Sequence, residues 1–554
     1  MIINRFTAGA PTIKDPLVLT TEAIAQHPWD RQVDVAIIGF GGAGAAAAIE
    51  SREAGADVLV AERFMGGGAT KISGGILYAG GGTRIQQEAG FEDDADNMFN
   101  YLKQEAKDAV SEATLRRFCN DSVDNFNWLS ERGVAFDASY CPTKTSYPSN
   151  QHYFYYSGNE SFPPYSDHAK PVPRGHRAHA PGVSGAALFD PLKTHAERVG
   201  VRVETQCHID QLITDEHGKV IGVTGKRMTA DSLSGWAHRQ LFALMILMRY
   251  ATIFTPFVNH IIRWILEQLE KRAKPFSIRA RKGVILSSGG FYYNREMLKQ
   301  YAPDYLKGTP LGTIADNGSG IQLGESAGGV TDHMDSVSAW RFINPPNAFA
   351  RGILIGTDGK RICNEMLYGA QVGEQLVKEH GGKGYLIIDK RLWRLAHKQL
   401  GPKQAMWFQS VTALMYLWLE RRKAPTLQAL AEKLKLPADS VVKTIAEYNT
   451  QALEKTDPMG KMPEFLEPIC DGPFYALNCS FDSMIVPCPS LTLGGLKVDE
   501  TSGAVLNAEG KPISGLYAAG RTAVGIASRS YVSGLSIADC VFSGRRAGQH
   551  AAHR

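Results

Sequence analysis

Residues 33–63, VDVAIIGFGGAGAAAAIESREAGADVLVAER, decide the fold. VDVAII is an apolar strand, Gly39-Phe40-Gly41-Gly42-Ala43-Gly44 fits G-x-G-x-x-G, an alanine-rich helix follows, and VLVAE is a second strand ending at Glu62. Strand, glycine turn, helix and strand in that order open a βαβ unit. The glycines Gly39, Gly41, Gly42 and Gly44, with Ala43 between them, permit a tight turn and let backbone N–H groups and a helix N-terminus approach a pyrophosphate. Glu62, followed by Arg63, lies at the remove from which a carboxylate accepts hydrogen bonds from a ribose. A glycine-rich helix packed without a ligand is the bland alternative, and the flanking strands weigh against it.

The 554 residues, 44% hydrophobic and 21% charged, can bury a large core in more than one domain. Sixty basic and 56 acidic residues are spread along the chain, giving a formal charge of +4 with no long basic block, which excludes nucleic acid as an expected partner. Eight cysteines lie scattered without C-x-x-C, haem-attachment or iron–sulfur spacing, as free thiols in a reducing cytoplasm would. The first residues, MIINRFTAGAPTIKD, carry no apolar core of signal-peptide length.

Along the chain, residues 94–133 read as helical and 140–181 as a long loop rich in Tyr, Pro, Gly and His. VRVETQCHIDQLITDEHGKVIGVTG, from Val201, alternates and turns as a small antiparallel sheet would. An apolar stretch at 236–274 then interrupts the pattern. The expected architecture is α/β: a Rossmann-like dinucleotide-binding domain over 30–335 (carrying the insertion 236–274) and 478–554, with an inserted α+β second domain over 336–477.

At Gly66–Gly75 the chain reads GGGATKISGG, and further on it carries SSGGF (Ser287–Phe291), DNGSG (Asp316–Gly320), LTLGGL (Leu491–Leu496) and GLYAAGR (Gly515–Arg521). With these five matches in order, the sequence resembles the fumarate reductase and succinate dehydrogenase flavoproteins. The resemblance implies FAD, held by the first glycine turn, by Ala69, Thr70, Ser73, Gly74 and Gly75, by Gly520, and by Ser536 and Ile537 at the start of a helix whose positive end faces the flavin's pyrimidine edge. Relatives with covalent flavin carry a histidine ahead of the SGG element; Gly66, Gly67 and Gly68 stand here, so non-covalent FAD is expected.

Dicarboxylate-binding relatives place arginines after an N-E pair and in a C-terminal R-L-G-G-N-S-like motif. Here Asn364-Glu365 is followed by Met366-Leu367-Tyr368-Gly369, and the C-terminal motif is Tyr531-Val532-Ser533-Gly534-Leu535-Ser536. Phenols in place of guanidinium forks leave neutral donors suited to a carbonyl. In this the chain resembles the 3-ketosteroid dehydrogenases of the same superfamily, which desaturate a cyclic ketone by removing a proton beside the carbonyl and a hydride from the next carbon. The Y-x-S pattern implies the Δ4-(5α) type: Tyr531 as base, Ser533 and Tyr368 supporting it, Gly534 completing the motif. The Δ1 type, which expects Y-x-G-x-G and an early tyrosine for which Tyr101 is the candidate, is the alternative; so is an enone reductase running the reverse reaction. Tyr153, Tyr155 and Tyr156 receive no role, and His176 and His179 read as structural. With no second nucleotide motif in view, a quinone or another carrier is the expected electron acceptor.

Two apolar stretches remain. Leu241–Leu266 is interrupted by Arg249, Pro256, His260 and Arg263, which argues against a full membrane span. It reads as an in-plane anchor to the inner face of the cell membrane, with Trp407, Phe408, Trp418, Arg421, Arg422 and Lys423 adding a second element, or else as a packed hairpin or dimer interface.

Overall fold

The computed structural model describes residues 12–249, 256–402 and 404–553. Pro256 and His260, two of the residues that break the first apolar stretch, have side chains outside the described set. Strand Arg31–Ile38 runs parallel to Val58–Ala61 on one side and to Lys274–Leu286 on the other, and Val58–Ala61 continues parallel to Arg202–Glu204. The Gly42–Glu53 helix that connects the first two is buried from Gly42 to Ser51. Its four consecutive alanines present little bulk, so the Leu535–His553 helix lies directly against it. A Cβ on Gly544 would stand 2.5 Å from the Ala43 carbonyl, and one on Gly548 2.5 Å from that of Ala47. The beginning and the end of the chain thus share one core.

The alternating segment after Val201 does form an antiparallel pair, Cys207–Asp215 with Val220–Arg227. It is not a separate small sheet, however. Lys274–Leu286 is 13 residues long, enough to pair antiparallel with Val220–Arg227 in its first half and parallel with Pro512–Ala518 in its second. That length merges the pair into one nine-stranded sheet. The 94–133 stretch resolves into helices Ala95–Ala106, Glu112–Asn120 and Ser122–Glu131. Within the loop-rich region, Phe154–Tyr155 and Gly175–Arg177 form a short sheet with Ile76–Tyr78.

A four-stranded antiparallel sheet, in the order Ile353–Ile355, Tyr385–Ile388, Phe474–Asn478, Arg421–Ala424, lies in the middle of the chain. Beside it Glu365, wholly buried, is held by Arg361 and Lys461.

The apolar insertion forms two helices, Leu233–Leu247 and Pro256–Glu270. Phe242, Met245, Ile262 and Leu266 pack on Phe64 and Ile314, while Leu233, Trp236, Leu244 and Leu247 are exposed. The hairpin reading therefore describes one face and leaves the other open. Among the described residues, no helix is long and apolar enough to cross a membrane.

Candidate active site

A cavity of about 500 Å³ runs from the first glycine turn to the tyrosines of the C-terminal motif. Its wall includes Gly39, Gly41, Gly42, Ala43, Glu62, Arg63, Ala69, Thr70, Ser73, Gly74, Gly520, Ser536 and Ile537, and, at the other end, Tyr368, Tyr531, Ser533 and Gly534. Gly44 and Gly75 act from behind. A Cβ on Gly44 would collide with the Gly39 carbonyl at 2.0 Å, and one on Gly75, at φ +66°, with Ser184 at 2.5 Å.

The turn itself is built for close approach of a ligand. Gly39 has φ +100°, Gly41 has nothing within 4 Å of where a Cβ would stand, and Gly42 N–H donates to Thr70 Oγ1 at 3.1 Å. Glu62 is buried, and its carboxylate accepts from the N–H of Phe40 at 2.7 Å and of Phe64 at 2.8 Å; burial, the largest influence, raises its pKa. Arg63 makes a two-pronged bond to Glu270 of the insertion, at 2.9 and 2.8 Å. The insertion thus fixes this end of the cavity.

The distant motifs are stitched together here. Asp316 accepts from Gly290 N–H and from Arg521, and Thr492 Oγ1 accepts from Phe291 N–H. Arg521 lines the cavity with its Nη1 buried and without a partner among the described residues, and Gly520, at φ +61°, packs on Ala43. An open glycine turn, an orphaned guanidinium N–H and the start of the Leu535–His553 helix suit a ligand bearing both a pyrophosphate and a flavin carbonyl edge. The residues present fit FAD.

At the other end, Tyr531 and Tyr368 face each other with ring centroids 6.4 Å apart. Trp340 lies 5.3 Å from Tyr531 and Phe342 5.6 Å from Tyr368, in a cluster closed by Leu491 and Leu493. Burial raises the pKa of both phenols; the Ser533 hydroxyl opposes this for Tyr368, and the Arg521 guanidinium and Gly534 N–H oppose it for Tyr531. The net direction is upward, so both phenols rest neutral.

Tyr155, given no role by the sequence, donates to Ser533 Oγ at 3.2 Å. Trp340, Phe342 and Arg521 were likewise missed as cavity residues. Tyr101, the early tyrosine considered for the Δ1 type, does not reach the cavity: it is fully buried, donating to Glu105 and accepting from Asn159 N–H. His176 packs among Phe126 and Phe154 with its pKa lowered to about 4 by burial, and His179 lies edge-on to Tyr153; neither lines the cavity.

A family model described as an FAD binding domain matches residues 34–534. The chain belongs to this family of FAD-binding flavoproteins, and it is an FAD-dependent oxidoreductase. More narrowly, it is 36% identical over 512 residues to the 3-oxo-5-alpha-steroid 4-dehydrogenase of Comamonas testosteroni, covering 91% of this chain and 95% of that one. The 3-ketosteroid-delta4-(5alpha)-dehydrogenase of Rhodococcus jostii RHA1, solved in complex with 4-androstene-3,17-dione, is 31% identical with a TM-score of 0.81, over 98% of this chain and 100% of that one. The 3-ketosteroid delta1-dehydrogenase of Sterolibacterium denitrificans, at 18% identity and a TM-score of 0.66 over 94% and 100% of the two chains, shares the fold.

Proposed function

We propose that the chain desaturates a 3-ketosteroid between carbons 4 and 5, as a 3-oxo-5α-steroid 4-dehydrogenase. The observation that carries this is the pair of phenols, Tyr531 and Tyr368, facing each other in an apolar cluster, at positions where the resemblance to dicarboxylate-binding flavoproteins implies arginines. Bound FAD, held without a covalent link, supplies the acceptor for the hydride leaving carbon 5. Tyr531 acts from the small fraction in which its hydroxyl proton has first left to solvent: the phenolate Oη takes the proton from carbon 4 and becomes the neutral phenol. Ser533 Oγ, bonded by Tyr155, and Tyr368 Oη orient the ketone and the base, and a donor on the ketone oxygen stabilises the charge that develops there. Trp340, Phe342 and Leu491 exclude water from the ring that reacts.

The test is anaerobic incubation of the FAD-loaded protein with a 5α-saturated 3-ketosteroid and, separately, with a 4-ene-3-ketosteroid. The first should bleach the flavin and gain a 4-ene; conversion of the second to a 1,4-diene would instead assign Δ1 chemistry.

We also propose that the protein docks on an anionic bilayer. Trp407, Val411, Leu414 and Trp418 form an exposed stripe at helical spacing on the Trp407–Trp418 helix, while Phe408, Thr412 and Met415 of the same helix line the cavity. Exposed Arg422 and Lys423 follow, and Arg421 lies over the Trp418 ring at 4.6 Å. Apolar rings beside basic residues suit headgroups, and a lipid-soluble steroid and a quinone acceptor share that phase. In a flotation assay with vesicles containing anionic phospholipid, the protein should rise with the lipid and a W407A/W418A double variant should stay behind. Wild-type protein left at the bottom at low salt would dismiss the bilayer.

A further inference from the structure

Behind the two tyrosines, outside the cavity, a single carboxylate is joined to both segments that carry them. Glu105, on the Ala95–Ala106 helix, is 1% exposed. One of its oxygens accepts from Tyr101 Oη at 2.7 Å and from Asn159 Nδ2 at 2.7 Å. The other accepts from Gln371 Nε2 at 2.8 Å and from Ser530 Oγ at 3.3 Å. Asn159 passes the contact on, its Oδ1 accepting from the backbone N–H of Tyr368 at 2.7 Å. Gln371 lies one helical turn beyond Tyr368 and also donates to Ser530 Oγ at 2.9 Å, and Ser530 immediately precedes Tyr531.

Among the described residues Glu105 has no lysine or arginine within ion-pair distance, and the four donors satisfy its oxygens. A buried carboxylate without a cation is costly, and an apolar residue there would pack at lower cost. What the carboxylate does that an apolar side chain could not is accept four bonds at once, one from its own helix and one from each of three remote segments. We propose that Glu105 is a positioning residue that sets the separation of Tyr368 and Tyr531 through Asn159, Gln371 and Ser530. The proposal rests on the reading of those tyrosines as the groups that act on the substrate.

Charged and titratable neighbours surround it on every side: Tyr101 on its own helix, Lys144 and Glu160 on the following loop, Tyr78 on the adjacent strand and Tyr165 beyond. Burial, the largest influence, brings the Glu105 carboxyl up to about 7. Protonation below that pH replaces an acceptor with a donor and breaks the four-way set.

The experiment compares FAD-loaded full-length wild type, E105Q and S530A by rapid-mixing reduction with a 5α-saturated 3-ketosteroid across pH 5.5–9. Expected are a wild-type rate that, on top of the steady rise with pH that the Tyr531 base imposes on all three proteins, drops further below about pH 7, and an E105Q rate lower by about tenfold to a hundredfold above that pH and without the extra step, with the steroid KM within about twofold. An E105Q rate and pH step equal to wild type would overturn the proposal. If E105Q does not retain FAD, S530A, which removes one hydroxyl and no charge, carries the test: a lowered rate at unchanged KM supports the proposal and an unchanged rate overturns it. Wild-type protein that no steroid bleaches would instead overturn the assigned reaction, and this role with it.

Discussion

Tyr531→Phe should keep its FAD and its melting temperature while turnover of a 5α-saturated 3-ketosteroid falls by about 10²- to 10⁴-fold, the range a positioned acid or base supplies. The ring remains, so contacts with Trp340 and Tyr368 survive and the loss isolates the hydroxyl. Because burial holds the phenol's pKa above its ordinary value, the base form is scarce at neutral pH, and wild-type turnover should rise with pH through the alkaline range. The variant should show no such rise. Steady-state rates with flavin absorbance check both points, and unchanged turnover would remove Tyr531 from the chemistry.

Gly39→Ala should yield protein depleted in FAD. At φ +100° an L side chain is strained, and the new Cβ would stand 2.8 Å from the Ser287 carbonyl and 2.9 Å from Ser288 Cα. Both obstacles are backbone, so neither can swing aside. A left-handed residue alone costs about 1–2 kcal/mol, and the collision adds to it, so FAD affinity should drop by more than about tenfold. Titrating FAD into apoprotein measures the drop; wild-type affinity would mean that the turn is not where the pyrophosphate lies.

The glycine turn and the Tyr531 motif could be read from the sequence because each is local. Phe40 N–H meets Glu62 across 22 residues, and the strands between impose that geometry from pattern alone. The same holds for Tyr531 and Ser533, which share one short segment. Tyr155 could not be found this way. Its partner Ser533 is 378 residues away, and it arrives there only because Phe154–Tyr155 pairs with Gly175–Arg177 in a sheet that the loop-like composition of 140–181 hides. Trp340 and Phe342 follow a three-residue strand with no periodicity to mark them. Tyr101, the early tyrosine that only the Δ1 alternative would have needed, has its hydroxyl engaged by Glu105 and Asn159 away from the cavity. The apolar insertion was half legible, since amphipathic helices announce an apolar face without saying which part of it will be covered.

The shared core of the Gly42–Glu53 and Leu535–His553 helices sets when the cofactor-binding half can finish folding. A ribosome emits the first βαβ unit long before the Leu535–His553 helix on which its alanine helix rests, and Pro512–Ala518, which completes the central sheet, comes only shortly before that helix. Until then the alanine helix exposes a face with no partner, and the nascent chain waits with its nucleotide-binding half unfinished. Closure of the cofactor-binding half therefore waits until the Leu535–His553 helix has been made, and a chain cut short before that helix lacks the wall that Ser536 and Ile537 contribute.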